Sequence, residues 1–370
     1  MSSKENQHVS VLELDMNALA HNISYFKNKL QPSTKLLAVV KAYAYGHDAT
    51  QISLVLEKNK VDYLAVAYTH EGISLRKSGI KTPILVLHAQ IQNYTLLREH
   101  NLEPNLYSHA TLNAFIEFAD KNKLNNYPVH IKFNTGLNRL GFTPNEVPKL
   151  IKTFQENKNL KLQSVFSHLA ASEDLNEKEF TLMQIEKFKD IKQNISDAFS
   201  HTIDFHLSNT SGIINFPEAE HDMVRLGIGM YGFGNTPKET TKLKNVGSLK
   251  TIISQIHIIS PGESLGYNRA FIAKKETKTA TLPIGHADGI SRELGNGKGS
   301  VLINDTICPI IGNVCMDMIM VDITGVSCTE RDQVIIFNNQ TMVNELAKNS
   351  NTISYEIITG ISQRISRKII

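Results

Sequence analysis

Between about residue 35 and residue 230, short apolar runs alternate with longer amphipathic stretches. The runs KLLAVVK, DYLAVAY, TPILVLH, EPNLYS, PVHIKF, LQSVFSH, TIDFHLS and DMVRLGI have the length and composition of strands. Several are apolar at successive positions, as in residues 36–40, which is the pattern of parallel strands covered on both faces. The segments between them, such as DATQISLVLEKNK and EKEFTLMQIEKFKDIKQNIS, place apolar residues at helical spacing. Eight strands with helical crossovers predict an α/β fold whose N-terminal part is a (β/α)8 TIM-type barrel. An open doubly wound sheet is the competing layout. It would be favoured by a Gly-x-Gly-x-x-Gly turn after the first strand, and KAYAYGHD supplies none.

After about residue 240 the pattern changes. TIISQIHIIS, TKTATLPIG, GSVLIND, TICPIIG, DMIMVDI and DQVIIF follow one another with Gly and Asn turns and few helical windows between them. The chain therefore divides into a barrel over 13–242 and a mostly β C-terminal domain over 243–370. The early run HVSVLELD, strand 8–15, is expected to join the second domain, with MNALAHNISYFKNKL as the bridge.

Composition narrows the chemistry. Across 370 residues, 39 basic and 36 acidic side chains leave a net charge of +3 without a long block of one sign, which argues against nucleic-acid or anionic-membrane partners. No window approaches the roughly 18 uninterrupted apolar residues of a membrane span, and the start MSSKENQHVSVLELD lacks a signal-type apolar stretch, so a cytoplasmic protein is expected. Cys308, Cys315 and Cys328 are odd in number and lack paired ligand spacing, so neither a disulfide framework nor a metal site is expected.

On the barrel reading the unusual polar residues gather at one end. Lys41 ends the first strand, Lys132 the fifth and His168 the sixth; Asn209 and Thr210 follow the seventh; Arg225, Gly227 and Ile228 follow the eighth. Barrel enzymes build their sites from the loops at the carboxyl ends of the strands. Each residue alone has an ordinary explanation: a solvated rim lysine, a satisfied core histidine, a helix cap in SNTSG, an arginine paired locally. Their concentration at one end favours a site for a small molecule.

The motifs AVVKAYAYGHD, NTGLNRLGF, FSHLAASED, HLSNTSG, RLGIGMYG, SLGYNRAF, LPIGHADG and VCMDMIMVD, in this order and over nearly the whole chain, resemble those of the bacterial alanine racemase family. The resemblance implies a barrel with a C-terminal β domain, pyridoxal 5′-phosphate (PLP) at the barrel mouth, and a homodimer with sites at the subunit interface. By it, Lys41 forms the Schiff base with PLP, and Tyr45, Thr210 and the amides near Gly227 and Ile228 take the phosphate, with Asn209 alongside. Arg225 faces the pyridine nitrogen; a guanidinium has no acceptor, disfavours a proton there, and so favours return of a proton to Cα over transamination. Tyr267 is implied as the second proton carrier, in the partner's site, with His168 as its cationic or hydrogen-bonding neighbour. Arg139 and the main chain of Met316 would hold the substrate carboxylate, and Lys132 matches a position often carbamylated.

Four positions depart from the usual family pattern. Gln363 stands where a tyrosine near the phosphate and substrate mouth is common, His286 where a channel tyrosine is usual, Asn134 where Asp is common and Asn313 where Arg is often found. These bear on substrate range, so a racemase of broader or different amino-acid specificity is the main alternative. A PLP decarboxylase would carry an acidic residue in place of Arg225, and a non-catalytic PLP carrier would have no use for a long β domain bearing Tyr267.

Overall fold

The computed structural model describes residues 8–370, which divide into two compact units. The barrel unit comprises Ala20–Ala44 and Ala49–Leu243; the β unit comprises residues 8–19, Tyr45–Asp48 and Lys244–Ile370. Numbering strands along the chain, β1 is Val11–Leu14, and the barrel unit holds β2 (Lys35–Val39), β3 (Tyr63–Val66), β4 (Ile84–Val86), β5 (Glu103–Leu106), β6 (Tyr127–Lys132), β7 (Leu160–Phe166), β8 (Asp204–His206) and β9 (Met223–Leu226).

The eight barrel strands pair in parallel from β8 through β7, β6, β5, β4 and β3 to β2, which then pairs with β9. Such burial on both faces explains why these strands read as continuous apolar runs: β3 and β4 are buried at every position. The seam between β8 and β9 carries no strand ladder among the described residues. It is tied instead by the Arg225 amide donating to the Ser208 carbonyl (3.0 Å) and by the Phe205 amide donating to the Asp222 carboxylate (3.0 Å). Arg225 lies inside β9 and not beyond it, so its side chain emerges from the barrel wall.

At the end of β2 the backbone does something the composition does not announce. Ala42, Tyr43, Ala44 and Tyr45 have φ of 52°, 56°, 53° and 55°, a left-handed turn built without glycine. Each such residue costs on the order of 1–3 kcal/mol and persists only where its surroundings over-determine it. Glu71 supplies part of that constraint: one carboxylate oxygen accepts from the Ala42 amide (2.6 Å), and the other from Ala67 and Tyr68 (2.7 and 3.0 Å), fastening the residues after β2 to those after β3.

The β unit contains β10 (Gly247–Ile252), β11 (Gln255–Ile259), β12 (Ser264–Leu265), β13 (Phe271–Ile272), β14 (Thr277–Leu282), β15 (Ser300–Ile303), β16 (Thr306–Ile311), β17 (Ile319–Asp322), β18 (Gln333–Phe337) and β19 (Ser366–Ile369). Its main sheet runs β11, β14, β17, β16, β15, β18, β10, β1, β19. The run TIISQIHIIS is two strands and not one: β10 alternates buried and half-buried residues against β18, whereas the largely exposed β11 pairs with β14 at the sheet's far edge. Two helices, Gln340–Asn349 and Ser354–Thr359, follow β18. The first strand, β1, lies between β10 (antiparallel) and β19 (parallel), with Leu12 and Leu14 fully buried. Arg367 of β19 donates to the carbonyls of Gly46, His47, Ile361, Ser362 and Ile365, holding the segment after Tyr45 against the chain that leads into β19. Gly46 cannot be replaced there: its φ is +82°, and a Cβ would fall 2.0 Å from the Ile358 carbonyl oxygen.

Because Leu12 is an inward-facing residue of the strand that joins β10 to β19, Leu12→Ala is expected to lower unfolding free energy by about 2–5 kcal/mol in urea titrations. A cost below about 1 kcal/mol would mean that β1 is not part of the cooperative unit.

Candidate active site

The barrel unit brings Lys41, Lys132, His168, Thr210, Arg225, Gly227 and Ile228 to the carboxyl ends of its strands. Arg225 is the best fixed. Its Nη1 donates to His206 Nδ1 and to the His206 carbonyl (both 3.0 Å), and its Nη2 donates to the Ser167 carbonyl (2.7 Å), the Leu207 carbonyl (2.9 Å) and His168 Nδ1 (3.0 Å). The guanidinium lies 5.3 Å from the centroid of the Phe166 ring, which stacks on His206. Among the described residues no carboxylate touches it, and burial lowers its pKa to about 9.

Its neighbours respond in one direction. His168, desolvated and facing Arg225, Lys132, Arg139 and Lys41, is held well below the ordinary histidine range, and His206 likewise by burial and by Arg225. Both are therefore neutral. Since a guanidinium can only donate, His168 Nδ1 is the acceptor and its proton resides on Nε2. Of the two forms expected of His168, cationic or hydrogen-bonding, burial and then Arg225 favour the second: a neutral imidazole whose Nε2–H can donate.

Lys132 is 7% exposed, and its ammonium is pushed down to about 8 by burial, then by Arg139, Arg225 and Lys41. Lys41, half-buried at the start of the left-handed turn, is also lowered, by burial and then by Arg139, with Glu71 opposing. A lysine so placed gives up its proton more readily than a solvated one. Arg139 is exposed, on a loop over residues 134–142 organised by Asn134, whose Oδ1 accepts from the amides of Gly136 and Asn138 (3.1 and 3.0 Å). Asn134 is therefore a loop-closing residue, a role that an amide fulfils as well as a carboxylate.

The anion end is built from backbone. Asn209 caps the helix Thr210–Asn215 by accepting from the Gly212 amide (2.8 Å), and the Thr210 hydroxyl accepts from the amides of Gly227 and Gly229 (3.2 and 3.3 Å). A Cβ on Gly229 would meet Phe26 at 2.5 Å and Thr210 Cγ2 at 2.7 Å, so only glycine keeps this amide beside the hydroxyl. A phosphate accepts from such groups, Lys41 offers an amine, and Arg225 donates without accepting. This donor set fits PLP.

The remaining residues stand on the β unit. Tyr267 is 75% exposed, in a turn where Gly266, Asn268 and Arg269 have φ of 75°, 57° and 50°. Asn313 holds that turn, donating from Nδ2 to the Tyr267 carbonyl (3.2 Å). Met316 is 59% exposed, and its carbonyl accepts from the Ala287 amide as Cys315 accepts from His286, so the loops bearing His286 and Met316 are zipped together. Tyr45 is buried, with its phenol pushed upward by burial, and its ring packs 5.9 Å from that of Tyr355. Gln363 is exposed between the helix Ser354–Thr359 and β19. Tyr355, Glu71 and His206 escaped the sequence reading; only Glu71, at the third position of its helix, left a capping signal there.

Models of the alanine racemase N-terminal and C-terminal domains match residues 14–235 and 246–369. The alanine racemase of Treponema denticola is 36% identical over 367 residues, covering 96% of each chain. Among solved structures, the alanine racemase of Clostridium difficile 630 superposes with a TM-score of 0.93 at 32% identity, covering 99% of this chain and 97% of that one. The alanine racemase of Bartonella henselae, described with covalently bound pyridoxal phosphate, gives 0.88 at 28% identity, covering 98% and 100%.

Lys132 provides a check of the crowded cations. Its folded pKa of about 8 lies below the 10.5 of an ordinary lysine, so between these values the unfolded chain binds a proton that the folded one does not, and stability rises with pH. In carbonate-free buffer without cofactor, Lys132→Met is expected to be more stable than wild type at pH 7, with the advantage shrinking from about pH 8 toward 10.5. A pH-independent difference in denaturant unfolding would show Lys132 to be ordinary.

Proposed function

The chain belongs to the alanine racemase family and interconverts L- and D-alanine with pyridoxal 5′-phosphate, and we propose that Lys41 and Tyr267 are its two proton carriers. The observation that carries this reading is the half-buried, easily deprotonated amine of Lys41 in the same mouth as a guanidinium that can only donate.

When bound, PLP supplies the electron sink that makes the amino acid's Cα–H acidic. The residues to hold it are Lys41 at its reactive carbon, Arg225 at the ring nitrogen, and Thr210 with the amides about Gly227 and Ile228 at the phosphate, joined by Tyr45. Lys41 takes the Cα proton of D-alanine and returns it when L-alanine is converted. Tyr267 does the reverse on the opposite face. Its phenol works as a base only with donors around it, and the Nε2–H of His168 is the donor we assign to it. Arg139 and the Met316 amide hold the substrate carboxylate. Lys132, readily deprotonated, suits carbamylation, which would turn a repelling neighbour of Arg139 into an attracting one.

The exposure of Tyr267 and Met316 on their own chain is what a residue donated to a partner subunit requires, so we assign the active form as a homodimer in which these two serve the partner's site. We place the reaction in the cytoplasm, where D-alanine feeds peptidoglycan synthesis.

Purified protein supplied with PLP is expected to abolish the circular dichroism of L-alanine, and that of L-serine and L-lysine far more slowly. Comparable decay of all three would make the enzyme a broad racemase, and no decay of any would overturn the assignment. Tyr267→Phe is expected to keep the absorbance of Lys41-bound cofactor while losing about 10²–10⁴-fold in kcat.

A further inference from the structure

Within the barrel, one hydrogen-bonded chain runs from Arg225 to a carboxylate at the other end of the strands. Arg225 Nη1 meets His206 Nδ1 at 3.0 Å, His206 Nε2 meets Ser164 Oγ at 2.9 Å, Ser164 Oγ meets His130 Nδ1 at 2.5 Å, and His130 Nε2 meets Glu103 Oε2 at 2.8 Å. Tyr63 also donates its hydroxyl to Glu103, at 3.3 Å, and Arg76 feels the same carboxylate. Each step passes to the adjacent strand, β9 to β8, β7, β6 and β5, so the chain winds through the wall from the mouth to the first residue of β5. His130, Ser164 and His206 are wholly buried, at positions where branched apolar side chains ordinarily fill a barrel.

The direction of every bond is determined by the two ends. A guanidinium can only donate, so His206 Nδ1 is bare, and the neutral imidazole keeps its proton on Nε2. That proton goes to Ser164 Oγ, whose single hydrogen is then free only for His130 Nδ1. His130 is left with its proton on Nε2, and this meets an acceptor, Glu103. No donor faces a donor and no buried nitrogen is left unpaired, the condition under which a buried polar network is stable. Reversing any one bond would turn the Nδ1–H of His206 against Arg225.

We propose that Glu103 is a positioning residue for the racemase reaction: from the opposite end of the barrel it fixes His130 and His206 as neutral Nε2–H tautomers and so presents to Arg225 the bare nitrogen that holds its guanidinium. The part concerning catalysis rests on the role given to Arg225 above; the part concerning tautomers does not.

The test is 15N–1H correlation NMR of the histidine side chains in the full-length protein, with and without PLP, using His130→Gln and His206→Gln only to assign signals. Wild type should show both imidazoles neutral with the proton on Nε2. Either one doubly protonated or protonated on Nδ1 overturns the proposal, whether or not any variant folds. Glu103→Gln retains an acceptor and should retain both tautomers. Glu103→Leu leaves the His130 Nε2–H without its acceptor; it should move His130 toward Nδ1–H, set it against the Nε2–H of His206 across Ser164, and lower kcat by about 10–100-fold with KM for alanine little changed, the scale of a misoriented contact at the reacting group. Unchanged tautomers in Glu103→Leu, or equal losses of kcat in Glu103→Gln and Glu103→Leu, overturn it. Expected tautomers in a wild-type protein that does not racemise alanine would leave the chain standing and remove the function assigned to it.

Discussion

A guanidinium buried without a carboxylate beside it is the constraint around which the barrel mouth is arranged. The main chain of Arg225 ties the seam between β8 and β9, and its side chain spends five hydrogen bonds on two imidazoles and three carbonyls. Carbonyl dipoles and neutral rings satisfy donors without neutralising charge. Together with burial, the largest cause in each case, this charge shifts Lys132, His168 and His206 toward their neutral forms, and burial with Arg139 shifts Lys41 the same way. Such a pocket is poised for anions. The phosphate of the cofactor and the carboxylate of an amino acid bring the missing charge, so binding and electrostatic relief coincide.

Lys41 and Lys132 draw on the same field to different ends. Both are lysines at strand termini facing Arg139, and both shed protons more easily than a solvated lysine. Lys41 additionally begins a turn of four left-handed residues, and Glu71 clamps the first amide of that turn. The backbone there is held by these bonds, which spares the entropy of ordering a loop at the amine we propose to react.

How much of this was legible follows from what sequence patterns encode. The barrel strands were legible because strands buried on both faces must be apolar throughout, and Lys41 and Lys132 were legible because a charge at the end of such a run is conspicuous. The left-handed turn was not, since KAYAY contains none of the glycines that usually mark positive φ. His130, Ser164 and His206 were not, because isolated polar residues inside a strand gain meaning only when neighbouring strands are brought into register. TIISQIHIIS concealed a break for a related reason: both halves suit a strand, and only the partners of each, β18 and β14, separate them. Tyr355 escaped because its partner Tyr45 is more than three hundred residues away in the chain.

The position of β1 also sets an order of events during synthesis. Its two partners, β10 and β19, lie beyond the whole barrel in the chain, and β19 is the final strand. As the polypeptide leaves the ribosome, the first strand must wait unpaired while every barrel strand is made, and the sheet it belongs to is completed only when residues 366–369 emerge. The barrel can form from contacts between consecutive strands, whereas the β unit depends on contacts spanning almost the entire sequence and is the slower of the two to assemble. Nascent chains held just short of β19 would therefore carry a formed barrel and an open sheet edge, the species on which chaperones act.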